Sequence, residues 1–402
     1  MKILQVCHKP PYPPLDGGSI AMLNLARSLV RQGHDITVLT MCTPKHQLTV
    51  EDTLEFSKLM KVYTVFVNTK LRFSAMLKNL LFSRKPYIAI RFISAEFENQ
   101  LAEILQSETY DLIQLEGVYL TPYIPLIRQH SRALIVLRAH NVEHAIWQRL
   151  AATEKNPVRR WYFRVLAERI RKFELGSINQ YDLLLPITGY DLDNYSKMGN
   201  TKPAFICPAG IDTELTGTVI KTTHTIHLSL FFLGSLDWIP NREGLLWFVT
   251  DVFPELLRRN PELRLHIAGR NAPSWLINNL QRPGIVFHGQ IANAKEFMQA
   301  YGIMVAPCFS GSGMRVKIIE AMANGKPVIT TPIGAEGLTV KNEENIIIAL
   351  NADDFIEQAE RLLNYPDFYL KIGQNAQNFV VTAFDNSTLA AGVAAFYKMH
   401  LR

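Results

Sequence analysis

Cysteine is scarce in this chain. The 402 residues hold four, at Cys7, Cys42, Cys207 and Cys308, with no CxxC pair. That favours reduced thiols in a cytoplasmic protein over a disulfide frame or a zinc site. No segment approaches the roughly 18 consecutive apolar residues of a membrane-spanning helix. The richest run, "HLSLFFLGSLDW", is shorter and meets turn residues on its right. The opening "MKILQVCHKPPYPP" has too short an apolar stretch for a signal peptide and reads as a first strand. Short repeats, low-complexity tracts and compact Lys/Arg blocks are missing as well. The net charge of +6, from 42 Lys+Arg against 36 Asp+Glu, is a mild bias. It suits an anionic small substrate or an anionic membrane surface and offers no footprint for nucleic acid. There is no GxGxxG after the first strand, which speaks against nicotinamide or flavin.

What is present is alternation. Strand-like runs such as "KILQVCH", "HDITVLT", "YDLIQLEG", "ALIVLRAH", "LSLFFLG", "LRLHIAG" and "GIMVAP" are separated by helical periodicity. Many are nearly continuous apolar runs, as strands buried on both faces should be. The first helix, "SIAMLNLARSLVRQG", stops at Gly33. Repeated βα units imply an α/β protein with parallel sheets covered by helices. A chain of this length suits two domains. The best break is "PAGIDTELTGTVIKTTHTIH", residues 208–227, rich in threonine and poor in large apolar residues. Two doubly wound domains would then face each other across a cleft, with ligands beyond the C-terminal strand ends.

Four stretches carry candidate chemistry. "HKPPYPPLDGGS", residues 8–19, joins the first strand to the first helix. Gly17 and Gly18 remove Cβ atoms where a ligand could approach the helix N-terminus; a proline-stiffened connection is the competing reading. "RAHNVEHAIW" follows a buried strand and offers His140, Asn141, Glu143 and His144. A metal site there lacks a partner cluster, and a helix start capped by Asn141 fits the same residues. "FLGSLDWIPNREGLLWF" ends a strand at Gly234 and enters a helix through Asp237, Trp238, Asn241 and Arg242, another loop-to-helix anion site. Trp247 reads as core there and Trp238 does not. Arg270, beyond the next strand, is a further cation at a strand end. In "GSGMRVKIIEAMANGKPVITTPIGAEGL", from Gly311, backbone N–H groups near Gly313 can meet a phosphate, with Arg315 and Lys317 adding charge. Glu320 lies on the face of Lys317 and can accept from two vicinal ribose hydroxyls; a surface Lys317–Glu320 pair is the plainer alternative. A fifth stretch, "PVRRWYFRVLAERIRKF", mixes Arg159, Arg160 and Arg164 with Trp161. It reads as a helix lying on anionic lipid or as an ordinary amphipathic helix with a solvated basic face.

Together, "DGGS", "LARSLVRQGHDITVLT", "AHNVEH", "PAGIDTE", "FLGSLDWIPN" and the glycine-rich stretch resemble, in order and over nearly the whole chain, the retaining nucleotide-sugar glycosyltransferases of the glycosyl transferases group 1 family. The bacterial exopolysaccharide and surface-glycan enzymes are the most similar branch. The resemblance implies the GT-B fold: an acceptor-side Rossmann-like domain over 1–205, a nucleotide-sugar-binding one over 206–383, and a last helix, 384–402, returning to the first domain. It implies transfer of a sugar from a nucleotide diphosphate to an acceptor hydroxyl with retention. The leaving diphosphate would help to deprotonate the acceptor, with no metal or other cofactor. His140, Lys317 and Glu320 are the implied catalytic set, Glu320 holding the donor ribose and His140 the donor sugar. Gly17, Gly18, Asn241, Arg242, Arg270, Ser312, Gly313, Met314 and Arg315 are the implied donor-binding set. Implied partners are a nucleotide sugar, a glycan or lipid-linked acceptor and a peripheral contact with the inner face of an anionic membrane, but no nucleic acid. Two positions depart from the family pattern. Ser312 stands where a first glutamate is usual, and Ser235 where an arginine follows the strand glycine. A nucleotide-sugar epimerase of the same fold and a non-catalytic nucleotide-sugar binder remain as alternatives.

Overall fold

The computed structural model describes residues 1–212, 229–310 and 314–401. The chain divides into two compact units: Met1–Gly210 with Met314 and the C-terminal helix Asn386–His400, and Ile211–Gly311 with Arg315–Asp385.

The first unit is built on strands β1 (Lys2–Cys7), β2 (Asp35–Cys42), β3 (Lys61–Phe66), β4 (Leu112–Glu116), β5 (Leu134–Ala139) and β6 (Leu183–Pro186). They form one sheet in the order β3-β2-β1-β4-β5-β6, with every pair parallel. The central strands are buried on both faces, which is why they read as unbroken apolar runs. Chain order reverses between β1 and β4, and beyond the C-terminal ends of such a pair a doubly wound sheet opens a crevice.

The second unit repeats this plan. Strands β7 (Ser229–Leu233), β8 (Arg264–Ala268), β9 (Ile285–Gly289), β10 (Ile303–Ala306), β11 (Val328–Thr330) and β12 (Ile347–Ile348) lie in the order β12-β11-β10-β7-β8-β9, again parallel. Its reversal falls between β7 and β10. Leu230, Phe232, Leu265, Ile267, Ile303 and Val305 anchor a core of its own.

The C-terminal helix Asn386–His400 belongs to the first unit. Ala390, Val393, Ala394 and Tyr397 join a core with Met22, Leu25, Ala26 and Leu29 of helix Gly17–Arg31. Gln32 Nε2 donates to the carbonyl of Ser387 at 2.9 Å. Among the described residues, no helix is long and apolar enough to cross a membrane.

Candidate active site

Polar side chains gather at both reversal points. In the first unit Glu116 ends β4 and is completely buried. Burial pushes its carboxyl up, but Arg138 at 3.7 Å and the bond to His140 outweigh that and hold it at about 2. The carboxylate is therefore ionised and only accepts. Gln5 Nε2 donates to Oε1 at 2.6 Å and Gln114 Nε2 at 2.5 Å, while Oε2 lies 2.6 Å from His140 Nε2. Burial lowers the His140 pKa against the pull of Glu116, so the ring stays neutral. Its single proton must then sit on Nε2, leaving Nδ1 as an acceptor. Tyr397 extends the chain of bonds, donating to Gln114 Oε1 at 2.5 Å.

The glycine loop lies beside this group. Asp16 caps helix Gly17–Arg31 by accepting from the Ser19 N–H at 2.9 Å and takes a 2.6 Å bond from Lys9 Nζ. Burial pushes the Asp16 carboxyl up, but His46 and Lys9 hold it far below the usual carboxylate range. A Cβ at Gly18 would stand 2.9 Å from Lys9 Nζ, so a side chain there would push that ammonium aside. Gly17 opens the helix. His8 Nδ1 donates to the Glu116 carbonyl at 2.6 Å, and burial lowers its pKa to about 3. A cavity of about 790 Å³ runs from His8, Lys9 and Asp16 past His46 to Arg91 and Tyr119.

The helix after His140 departs from expectation. It spans Glu143–Thr153, and its cap residue is Val142, without a side-chain cap bond; Asn141 is not the cap. Glu174, buried on helix Pro157–Ser177, accepts from the N–H groups of Glu143 (2.8 Å) and His144 (3.1 Å) and lies 2.6 Å from His144 Nδ1. A carboxylate at a helix N-terminus does what the short side chain would have done. Burial raises Glu143 to about 7, and Tyr119 donates to it at 2.7 Å. Among the described residues no group of three or more His, Cys, Asp or Glu side chains could hold a metal ion.

In the second unit the site forms at Gly234, just past the end of β7. Lys317, on helix Val316–Ala323, donates to Asn241 Oδ1 at 2.8 Å, and Asn241 Nδ2 donates to the Ser235 carbonyl at 2.8 Å. A Cβ at Gly234 would come within 2.9 Å of Asn241 Nδ2 and 3.0 Å of Lys317 Nζ. Lys317 Nζ lies 4.7 Å from the centre of the Phe232 ring. Burial lowers its pKa to about 8. Glu320, one turn on, is raised by burial to about 7. The surface Lys317–Glu320 pair does not form, since Lys317 turns to Asn241.

Arg270, just beyond β8, donates from Nε to Ser235 Oγ at 3.1 Å, and Ser235 Oγ donates to Asp237 at 2.8 Å. Arg315 donates to the Ser310 carbonyl at 3.3 Å, and Ser310 Oγ donates to Glu243 at 2.7 Å. Arg242 instead lies over the Trp275 ring at 5.8 Å. Trp238 is exposed and Trp247 is half-buried against Phe309 and Phe355. Met314 is half-buried before the helix; Gly311, Ser312 and Gly313 lie outside the described residues. The sequence reading missed Glu116, Gln114 and Gln5. Their signal was available, as polar residues inside strands that are otherwise apolar.

Comparison with known proteins places the chain in a family. Residues 15–215 match the model of Glycosyltransferase Family 4, and residues 227–365 match that of the Glycosyl transferases group 1. An uncharacterised 44.6 kDa protein in the cps region of Klebsiella pneumoniae is 24% identical over 407 residues, covering 98% of each chain. Among solved structures, HepE of Anabaena in complex with UDP and glucose aligns over 99% of both chains at 15% identity and a TM-score of 0.70. Sucrose-phosphate synthase of Thermosynechococcus elongatus aligns over 99% of both at 16% identity and 0.72.

Proposed function

The chain belongs to glycosyltransferase family 4 of the glycosyl transferases group 1, a GT-B enzyme that takes sugar from a nucleotide sugar with retention, and on that footing we propose that it builds a bacterial surface polysaccharide. The observation that carries the donor side is the placing of Lys317 and Glu320 one helical turn apart at the reversal point of the second sheet. Glu320 accepts from the ribose hydroxyls. Lys317 and Arg270 meet the diphosphate, whose charge grows as the glycosidic bond breaks. Arg270 reaches the Ser235 hydroxyl, so it supplies a guanidinium at the position where the family resemblance implies an arginine. Arg315 and the backbone around Met314 add to the diphosphate contacts. Gly17, Gly18 and Lys9 present a helix N-terminus and an ammonium to a second anionic group. His140 offers Nδ1 to a sugar hydroxyl, and the leaving phosphate takes the acceptor proton.

The capsule-region relative supports the surface-glycan reading, and HepE supports a UDP-sugar donor. A panel of UDP-, GDP-, ADP- and dTDP-sugars, assayed with and without a glycolipid extract from an encapsulated bacterium, tests it. The expected result is slow hydrolysis of one UDP-sugar and fast transfer when acceptor is added. Release of a new nucleotide sugar without acceptor would make the protein an epimerase. Binding without turnover under both conditions would make it a binder only.

A further inference from the structure

The cavity of the first unit carries an excess of positive charge. Among the described residues that line it, Lys9, Lys45, Lys70 and Arg91 are cations, against the single carboxylate of Asp16. Asp16 is already engaged, accepting from Lys9 Nζ at 2.6 Å and lying 3.7 Å from His46 Nε2. Arg91 is half-buried. Among the described residues its guanidinium pairs with no carboxylate and donates only to backbone carbonyls, from Nε to Ile88 at 3.2 Å and from Nη1 to Thr69 at 3.1 Å. Burial lowers its pKa, yet a guanidinium keeps its charge at any ordinary pH. A positive charge withdrawn from water without a counterion is costly, and an anionic ligand would supply one. The guanidinium carbon lies 5.1 Å from the centre of the Phe92 ring. Phe92 in turn stacks on Tyr119 with centroids 5.3 Å apart, and His8 stands edge-on to both.

We propose that this cavity takes an acidic acceptor sugar, a hexose with a carboxylate or phosphate directly on its ring, with Arg91 and Lys70 meeting the anion and Phe92 and Tyr119 lying against the ring's apolar face. Binding pockets combine such an aromatic lining with a few placed charges that fix orientation. An anion within hydrogen-bond reach of Arg91 sits about one ring's width from the aromatic pair, so the charge belongs to the sugar that stacks there. A nucleotide is the poorer occupant. Its ribose hydroxyls call for a carboxylate of the Glu320 kind, and the one carboxylate here is held by Lys9 and His46. A neutral sugar would leave the Arg91 charge without a counterion. That the ligand is the acceptor rests on the transferase reading; that it binds does not, and binding is measured with no nucleotide sugar present.

The test is calorimetric titration of the full chain at neutral pH with methyl glucuronoside, glucose 1-phosphate and methyl glucoside. At least one of the two acidic sugars should bind about tenfold more tightly than the neutral glucoside, the order expected for one charge-assisted pair, and added salt should narrow the gap. Which of the two binds better tells a carboxylate site from a phosphate site. Arg91→Gln and Lys70→Gln should each remove most of the preference, and Arg91→Lys should keep part of it. Lys70 is exposed, so Lys70→Gln should melt like the wild type and decides the matter even if Arg91→Gln, which gives up two carbonyl contacts, fails to fold. Saturating UDP should not displace the bound sugar. Four results would overturn the proposal: no binding of either acidic sugar, equal binding of the neutral one, a preference that survives Lys70→Gln and Arg91→Gln alike, or displacement by UDP. Selective binding in a protein that turns over no nucleotide sugar would uphold the site and sink the transferase reading alone.

Discussion

Burial moves Lys317 and Glu320 towards neutrality from opposite sides, to about 8 and about 7. In the empty fold each charge lacks the ligand group proposed for it, diphosphate for Lys317 and ribose hydroxyls for Glu320, and burial makes it costly. For Glu320 the folded pKa is raised above the ordinary 4.5, so its contribution to stability is full below that value and is lost as pH rises through 7. Glu320→Gln removes a carboxylate that is costly to ionise there. It should stabilise the unliganded protein above pH 7 by about 1–3 kcal/mol, after allowance for solvent screening. The gain should shrink between about 7 and 4.5 and vanish below. The same variant should lose nucleotide-sugar affinity, since charge-assisted bonds to two hydroxyls are worth on the order of 1.5–3 kcal/mol each. Thermal melts across pH and a donor titration read the two effects separately; unchanged donor affinity would remove Glu320 from the ribose. Lys317 is lowered, so its contribution runs the other way, full above the ordinary 10.5 and lost as pH falls through 8. Arg270 gives a second check. Arg270→Ala should weaken donor binding about tenfold, roughly 1.4 kcal/mol. The exchange Ser235→Arg/Arg270→Ser should recover most of it, and failure of both to matter would deny the diphosphate its guanidinium.

The strands were legible because they are buried on both faces and so appear as apolar runs. The polar interruptions in those runs were legible too, yet they mean little until the sheet order is known. Gln5, Gln114, Glu116 and Arg138 come from three strands, and register sets Gln5 beside Gln114 and Glu116 beside Arg138. Only the β1-β4-β5 order turns four separate oddities into one network. The cap at Glu143 was misread for a similar reason: Asn141 is the local candidate, while Glu174 lies 31 residues away. The last helix is tied to the same network. Tyr397→Phe removes the buried donor to Gln114 and should cost about 1–2 kcal/mol of stability. It should also lower turnover several-fold with little change in donor KM, because Gln114 is freed to turn away from the carboxylate that orients His140. The ring-nitrogen signals of His140 report the tautomer directly, and a variant with wild-type signals and turnover would show that Tyr397 only packs. Deleting residues 386–402 should be far worse, since it bares Met22, Leu25, Ala26 and Leu29.

Across the whole chain, one sheet plan occurs twice, and the two copies carry different kinds of side chain at their reversal points. In the first, a fully buried ionised carboxylate orients a neutral histidine beside a cavity. In the second, Arg270 stands just beyond a strand and Lys317 in the first turn of a helix, one turn before Glu320, a carboxylate that burial keeps near half-charged at neutral pH. A nucleoside diphosphate has two anionic groups and a pair of hydroxyls, and it matches the second set. It should therefore act on one unit when the sugar is absent. Hydrogen-exchange mass spectrometry with saturating UDP, and then with the other nucleoside diphosphates, can resolve this. Slower exchange is expected at the end of β7 through Arg242, at the end of β8, and across Val316–Ala323. At a hundredfold excess over Kd the ligand stabilises the unit it binds by about 2.7 kcal/mol, enough for close to a hundredfold slowing where exchange requires that unit to unfold. Amides of β1, β4 and β5 should change much less, because their slowest exchange depends on a core formed by other residues. Protection of His140 and the glycine loop without any in Val316–Ala323 would reverse the assignment, making the first cluster the nucleotide site and the second the seat of some other ligand.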